Sequence, residues 1–282
     1  MALRVTLSLR CGLVGAVGVL FTRTNQKLLK KKMQNKVLTI IPVRLASTRL
    51  PNKPLADICG KSMTQRVYEQ ALAADLGEVI IACDGEEIAA EVKKFGGKFV
   101  ITDPNLPSGT DRIYAAYKSF SNGNFDIILN LQGDLPNIDP QVIRAAAQAA
   151  LEHDCDIATV ASKIKNEAEI NNPNVVKIAI SFREENLGKA LYFSRCPIPF
   201  SKEKSADYFH HIGIYAYKKA ALEKFVNLPQ SMLEKRESLE QLRALENDMN
   251  IFVKIVDAHP LSVDTKEDLE IVTKLIATKS NE

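Results

Sequence analysis

Between residues 37 and 152 the apolar positions switch repeatedly between two periods. "VLTIIPV" (37–43) is a continuous apolar run, the pattern of a parallel strand buried on both faces. "MTQRVYEQALAADL" (63–76) changes to helical spacing, "EVIIACD" (78–84) returns to a strand, and "GEEIAAEVKKFGG" (85–97) predicts a helix stopped by glycines. "KFVIT" (98–102) is a short third strand, "TDRIYAAYKSF" (110–120) a helix, and "FDIILNLQGD" (125–134) the most apolar strand of all. In "DPQVIRAAAQAALEH" (139–153), Asp139 can cap a helix whose first position is Pro140. Such alternation predicts an α/β fold, a mostly parallel Rossmann-like sheet flanked by helices.

The second half has a different texture. "DIATVAS" (156–162), "NVVKIAIS" (174–181), "KALYFSR" (189–195) and "FHHIGIYAYK" (209–218) read as strands with few helices between them. They predict added antiparallel strands and a small subdomain. "SMLEKRESLEQLRALEND" (231–248) reads as one helix opened by a Ser231–Glu234 capping box. "NIFVKIVD" (250–257) and a helix after "VDTKEDLE" close the chain. No repeat or low-complexity tract divides residues 37–282, which read as one domain behind an extension, 1–36.

At 282 residues and 46% hydrophobic, the chain can bury a substantial core. The formal charge of +3 is unevenly spread: the eight Lys/Arg and no acid of residues 1–36 leave −5 on the body. A mildly acidic body argues against nucleic-acid binding through a broad basic face. Five scattered cysteines (Cys11, Cys59, Cys83, Cys155, Cys196) form no CxxC pair, which points to a reducing compartment. The apolar run "CGLVGAVGVLF" is short for a membrane span. It reads as a secretory signal, a membrane or organelle address, or upstream sequence before a start at Met33; the last is preferred because "MQNKVLTIIPV" opens a strand almost at once. The expectation is a cytoplasmic catalytic domain that needs no membrane.

In an open parallel sheet, ligands bind beyond the C-terminal strand ends, where Arg44, Asp84, Gln132, Asp134 and Asp264 are predicted to fall. The loop "RLASTRLPNKPL" carries Arg44, Arg49 and Lys53 on backbone stiffened by Pro51 and Pro54. Three cations so placed suit a polyphosphate. Asp134, after Gly133, and Asp264, read as ending a strand ahead of the helix cap Thr265, are each ordinary turn or cap residues alone. As a pair they suit Mg²⁺, which takes one or two carboxylates together with substrate phosphates. "CGKS" (59–62) lacks the first glycine of a P-loop, and no GxGxxG follows a core strand. Of the adjacent His210 and His211, strand alternation lets only one face a site.

"IPVRLASTRLPNKPL", "LPSGTDR", "NLQGDLPNI", "NPNVVKI", "ALYFSRCPIP", "HHIGIYAY", "LEQLRALE" and "VDTKEDLE" occur in the order seen in the 3-deoxy-manno-octulosonate cytidylyltransferases, and from about Val37 onward the chain resembles that family. The resemblance implies a nucleotide-diphospho-sugar transferase fold with an antiparallel dimerisation subdomain, a homodimer, and the reaction CTP + Kdo → CMP-Kdo + pyrophosphate of lipopolysaccharide biosynthesis. By the same resemblance Arg44, Ser47, Arg49 and Lys53 hold the triphosphate. Asp84, Ser108, Gly109, Thr110, Arg112 and Gln132 surround the cytidine, Asp134 and Asp264 bind catalytic Mg²⁺, and Lys53 acts with them in catalysis. Arg195, His211, Tyr215, Glu240 and Gln241 line the sugar-acid pocket. The chain departs from the family pattern in three places: Leu135 stands where Glu is common, Cys83 where Thr is common, and Asp111, before Arg112, where Glu is more usual. Two rivals stand beside this reading, a cytidylyltransferase for a sialic-type acid and a non-catalytic nucleotide-binding protein on the same fold.

Overall fold

The computed structural model describes residues 36–47, 49–120, 124–202 and 207–279. The extension read from the sequence lies outside them except for Lys36, as does Cys11. Strand β1 (Val37–Val43) is followed by a two-stranded hairpin, β2 (Asp57–Ile58) and β3 (Lys61–Ser62), then α1 (Met63–Ala73) and β4 (Gly77–Cys83). Next come α2 (Glu86–Lys94), β5 (Phe99–Ile101), α3 (Gly109–Phe120), β6 (Ile127–Leu131) and α4 (Pro140–Glu152). The second half contains β7 (Ile157–Lys163), α5 (Glu167–Ile170), β8 (Lys177–Glu184), β9 (Leu187–Ser194) and β10 (Phe209–Lys218). It ends with α6 (Lys219–Val226), α7 (Met232–Glu237), α8 (Leu242–Glu246), β11 (Ile251–Ile255) and α9 (Lys266–Lys279).

One sheet runs β5-β4-β1-β6-β10-β7-β11-β9-β8. Its first four strands are parallel, as the apolar runs and intervening helices require. The expectation of a mostly parallel sheet is corrected beyond them, because β10 enters antiparallel between β6 and β7, and β8 and β9 form an antiparallel hairpin. The turn between β8 and β9, Glu185 and Asn186, is far too short for the crossover that a parallel neighbour needs. A further pairing of His210 with Lys177 brings β8 back to β10, so β10, β7, β11, β9 and β8 curl into a closed set.

Alternate side chains of the central strands feed two cores. Ile41, Ile81 and Leu129 pack with Val67 of α1, Val92 of α2 and Ile143 of α4. Ile40, Ile80 and Ile128 face the other way, against Ile113 of α3, Leu222 of α6 and Leu242 of α8. Each such side chain contributes roughly 1.5–3 kcal/mol by burial, so both layers hold the strand ends in fixed register. A smaller cluster of Ile58, Met63, Val263 and Val272 fastens the hairpin, the start of α1 and α9 together, with Leu50 and Ala56 of the loop after β1 packed against it.

The "CGKS" stretch is the tip of the β2–β3 hairpin: Cys59 and Gly60 both take positive φ, 51° and 78°, as a two-residue turn of this hand demands. The helix expected over 231–248 is two short helices, since Ser238 adopts left-handed backbone (φ 54°) and breaks the run. The capping box at Ser231 and Glu234 forms as read. Helix α6 and the short α5 were not foreseen.

Candidate active site

The loop after β1 is held from both ends. Asp84, just beyond β4, accepts the Leu45 amide on both carboxylate oxygens at 3.1 Å. Pro54 sits buried in a 3₁₀ turn, Lys53–Leu55, with its carbonyl taken by the Thr64 hydroxyl. That turn aims Lys53 inward. Its Nζ lies 3.1 Å from Asp134 Oδ2, 3.1 Å from Asp264 Oδ1 and 2.9 Å from the Val263 carbonyl. Arg49 adds a contact of 3.2 Å to the other oxygen of Asp264.

Asp134 is placed by β6 through Gly133, where a Cβ would come within 3.0 Å of the Pro42 carbonyl and 3.2 Å of Val43 Cγ2. Only glycine lets the ends of β1 and β6 approach this closely. Asp264 is not at a strand end, which corrects the sequence reading; β11 stops at Ile255, and Asp264 lies on the loop before α9. The Val263 amide donates to the Asp134 carbonyl at 3.0 Å, and Asp268 accepts the amides of Asp264 and Thr265. Side-chain burial and backbone bonding, rather than a strand, bring the second carboxylate to the first. Among the described residues no group of three or more His, Cys, Asp or Glu side chains converges, so a metal here would draw two protein carboxylates at most from this pair.

Two cavities meet at these carboxylates. The first, about 330 Å³, is lined by Arg44, Lys53, Ser108, Gly109, Arg112 and Gln132, with Pro42, Val43, Leu106 and Pro107 forming an apolar side. The second, about 590 Å³, is lined by Arg49, His210, His211, Tyr215, Gln241 and the segment Asn172 to Val176, apart from Pro173. Gln132, Asp134 and Asp264 belong to both. A cation-lined chamber and a polar, partly aromatic chamber thus share one acidic wall.

Several residues implied by the resemblance stand outside these chambers. Ser47 and Asp84 line a neighbouring hollow with Glu86 and Glu87, Asp84 being committed to the Leu45 amide. Thr110 is buried behind the first cavity and donates to Glu240 Oε2 at 2.7 Å. Glu240 therefore faces the start of α3 rather than the second cavity, and burial pushes its carboxyl above the usual range despite the bond from Thr110. Arg195 turns its guanidinium to the carbonyls of Glu237, Pro173 and Ser238, beneath the wall of the second cavity rather than in it. Arg112 is buried and donates to Thr102 Oγ1 at 2.6 Å, which fixes its head at the first cavity.

His210 and His211 both border the second cavity, and on this regular stretch of β10 their side chains leave the strand on opposite faces. The register of β10 with β7 shifts only beyond them, between Ile212 and Tyr215, where Tyr215 joins the cavity lining. His211 Nε2 is 2.9 Å from Thr159 Oγ1, and burial pushes its pKa down to about 3, so it acts as a neutral hydrogen-bonding ring. Burial likewise lowers His210 to about 4. Burial raises the Tyr215 hydroxyl, keeping it a protonated donor. Sequence reasoning missed Asn172 and Asn174, whose one visible signal was the "NPN" turn before β8. Leu135 is buried in the main core and also borders the second cavity.

The family described as "Cytidylyltransferase" matches residues 38–251. A 3-deoxy-manno-octulosonate cytidylyltransferase of Paramagnetospirillum magneticum is 48% identical over 85% of this chain and 97% of its own length. That of Brucella anthropi is 50% identical over 86% of this chain and 97% of its own. Among solved structures, a CMP:2-keto-3-deoxy-manno-octonic acid synthetase complexed with CTP superposes with a TM-score of 0.81 at 40% identity, covering 86% of this chain and 99% of that one. The chain belongs to the 3-deoxy-manno-octulosonate cytidylyltransferase family.

Proposed function

We propose that the protein transfers the cytidylyl group of CTP to the anomeric hydroxyl of Kdo, giving CMP-Kdo and pyrophosphate. The observation that carries this is the meeting of two chambers at Asp134 and Asp264. The similar solved structure holds CTP, which supports giving the first cavity to the nucleotide. The second, with its neutral histidines, tyrosine hydroxyl and asparagines, suits a polyhydroxylated sugar acid.

The carboxylate pair fits Mg²⁺ on chemical grounds: its donors are hard oxygens, and it already converges on one cation, the Lys53 ammonium. When bound there, the ion would screen phosphate charge and lower the pKa of the sugar hydroxyl. In the reaction the sugar oxygen bonds to the α-phosphorus as the bond to the β-phosphate oxygen breaks, so negative charge grows on the departing pyrophosphate. Arg44 and Lys53 stand at the nucleotide cavity to meet that charge, and Arg49 at its junction with the second. Arg112, Ser108 and Gln132 orient the nucleoside, while Tyr215, His211 and Gln241 fix the sugar so that its hydroxyl faces phosphorus. No covalent enzyme intermediate is needed.

The homodimer is part of the proposal. Phe182 and Leu191 on the β8–β9 hairpin and Phe200 beyond it are exposed, at 45%, 57% and 86%, and supply an apolar face for a second copy. The reaction is assigned to the cytoplasm.

The test is pyrophosphate release from CTP and Mg²⁺ with Kdo or with sialic acid. Release with Kdo alone is expected. Release with sialic acid alone would transfer the reading to a nonulosonic acid, and silence with both would make the chain a non-catalytic relative.

A further inference from the structure

Lys177, the first residue of β8, is fully buried. Its ammonium donates to the carbonyl oxygens of Asn172 at 2.8 Å and Val175 at 2.6 Å. Among the described residues the carboxylate whose field reaches it is that of Glu237, which is instead held by the Ser194 hydroxyl and the Arg195 amide. Arg195 approaches the same turn and binds the Pro173 carbonyl at 2.9 Å. Two cations thus hold three carbonyls of a five-residue turn, with one carboxylate between them to balance the charge. The turn is also the wall of the second cavity, to which Asn172, Asn174, Val175 and Val176 contribute.

Burying an ammonium costs several kcal/mol before its bonds are counted, and a methionine would fill the same space without that cost. A purely structural brace has no need of charge. A chamber for an anionic sugar does, and beyond Arg49 the basic side chains on its lining, His210 and His211, are neutral.

We propose that Lys177 is a positioning residue for the sugar acid: it sets the Asn172–Val176 wall and lends the second cavity the positive potential that selects a carboxylate-bearing substrate over a neutral one. This rests on the reading that the second cavity receives Kdo. Lys177 touches no reacting atom; it acts through the wall it holds and through its field.

The test compares binding of Kdo and of its C1 carboxamide to the full chain by calorimetry, with the affinity for CTP measured alongside. In the unsubstituted protein the acid is expected to bind about tenfold more tightly than the amide, the size of one unit charge acting across a protein wall. In Lys177→Gln that preference should shrink several-fold while CTP affinity holds. Equal loss of acid and amide, or an unchanged preference, would reduce Lys177 to a brace and overturn the proposal. Should the variant fail to fold, the unsubstituted protein still decides, because equal affinities for acid and amide overturn it alone. If neither sugar binds and no pyrophosphate is released, the assignment of Kdo itself has failed and takes this inference with it, a pattern distinct from binding without discrimination.

Discussion

The amide of Val263 donates to the carbonyl of Asp134 at 3.0 Å, and this one backbone bond sets Asp264 beside Asp134. Both carboxylates then reach the same ammonium at 3.1 Å. The junction of the two cavities depends on that link, because one carboxylate is carried by a strand end and the other by a loop docked through the α9 cluster.

Lys53→Ala should lower kcat/KM for CTP by about 10²-fold, the usual loss when one donor to developing charge is removed. The free protein should melt close to the parent, because the pair is partly exposed and its contribution to stability small. Steady-state pyrophosphate release checks this, and unchanged kinetics would remove Lys53 from the reaction.

Gly133→Ala places a methyl group 3.0 Å from the Pro42 carbonyl. A stability loss of about 1–3 kcal/mol is expected from the forced separation of β1 and β6. Turnover should fall further than stability predicts, since Asp134 moves with its neighbour. A fully active, fully stable variant would show that the close approach is dispensable.

Arg243 and Glu234 form a buried pair, with bonds of 2.9 and 2.6 Å, that ties α7 to α8 and so places Leu239 and Gln241 on the second cavity. Burial alone would raise the Glu234 carboxyl, but the Arg243 bonds outweigh it and hold it below its ordinary value. Arg243→Met should cost about 3–5 kcal/mol by leaving the carboxylate unpaired. The double variant with Glu234→Gln should lose clearly less than the sum of the single losses. Additive losses in denaturant unfolding would contradict the pairing.

His210 and His211 are buried neutral, with pKa values pushed down to about 4 and 3. The unfolded chain takes up protons on both near pH 6.5 and the folded protein does not, so stability is complete above that pH and falls toward the folded values. Between pH 6.5 and 5 each histidine should remove about 2 kcal/mol. His211→Leu should halve the slope of unfolding free energy against pH over that window. An identical slope would mean that His211 is already protonated in the folded protein.

Much of this was legible in the chain. The apolar runs located β1, β4 and β6, and the Pro-stiffened loop with Lys53 was placed from its cations together with its position beyond the end of β1. Asp134 followed from the end of the most apolar strand. Asp264 was found for the wrong local reason, because "LSVD" resembles a strand end while tertiary packing of Val263 fixes it as loop. Helix α6 escaped because Lys218 gives no side-chain cap, so "YAYKKAALEKF" shows no start signal. The break at Ser238 escaped because a non-glycine residue takes the left-handed conformation there. Thr110 and Glu240 matched motif positions, yet their side chains bond each other, a pairing across distant segments that no local pattern encodes.

The most direct measurement is a Mn²⁺ titration followed by electron paramagnetic resonance, with CTP present and Kdo omitted. The parent protein should bind the ion, and Asp134→Asn and Asp264→Asn should each weaken it at least tenfold, with the double variant little worse than either, as for one shared site. Parent-like Mn²⁺ affinity in either single variant would contradict a cation held between these two carboxylates.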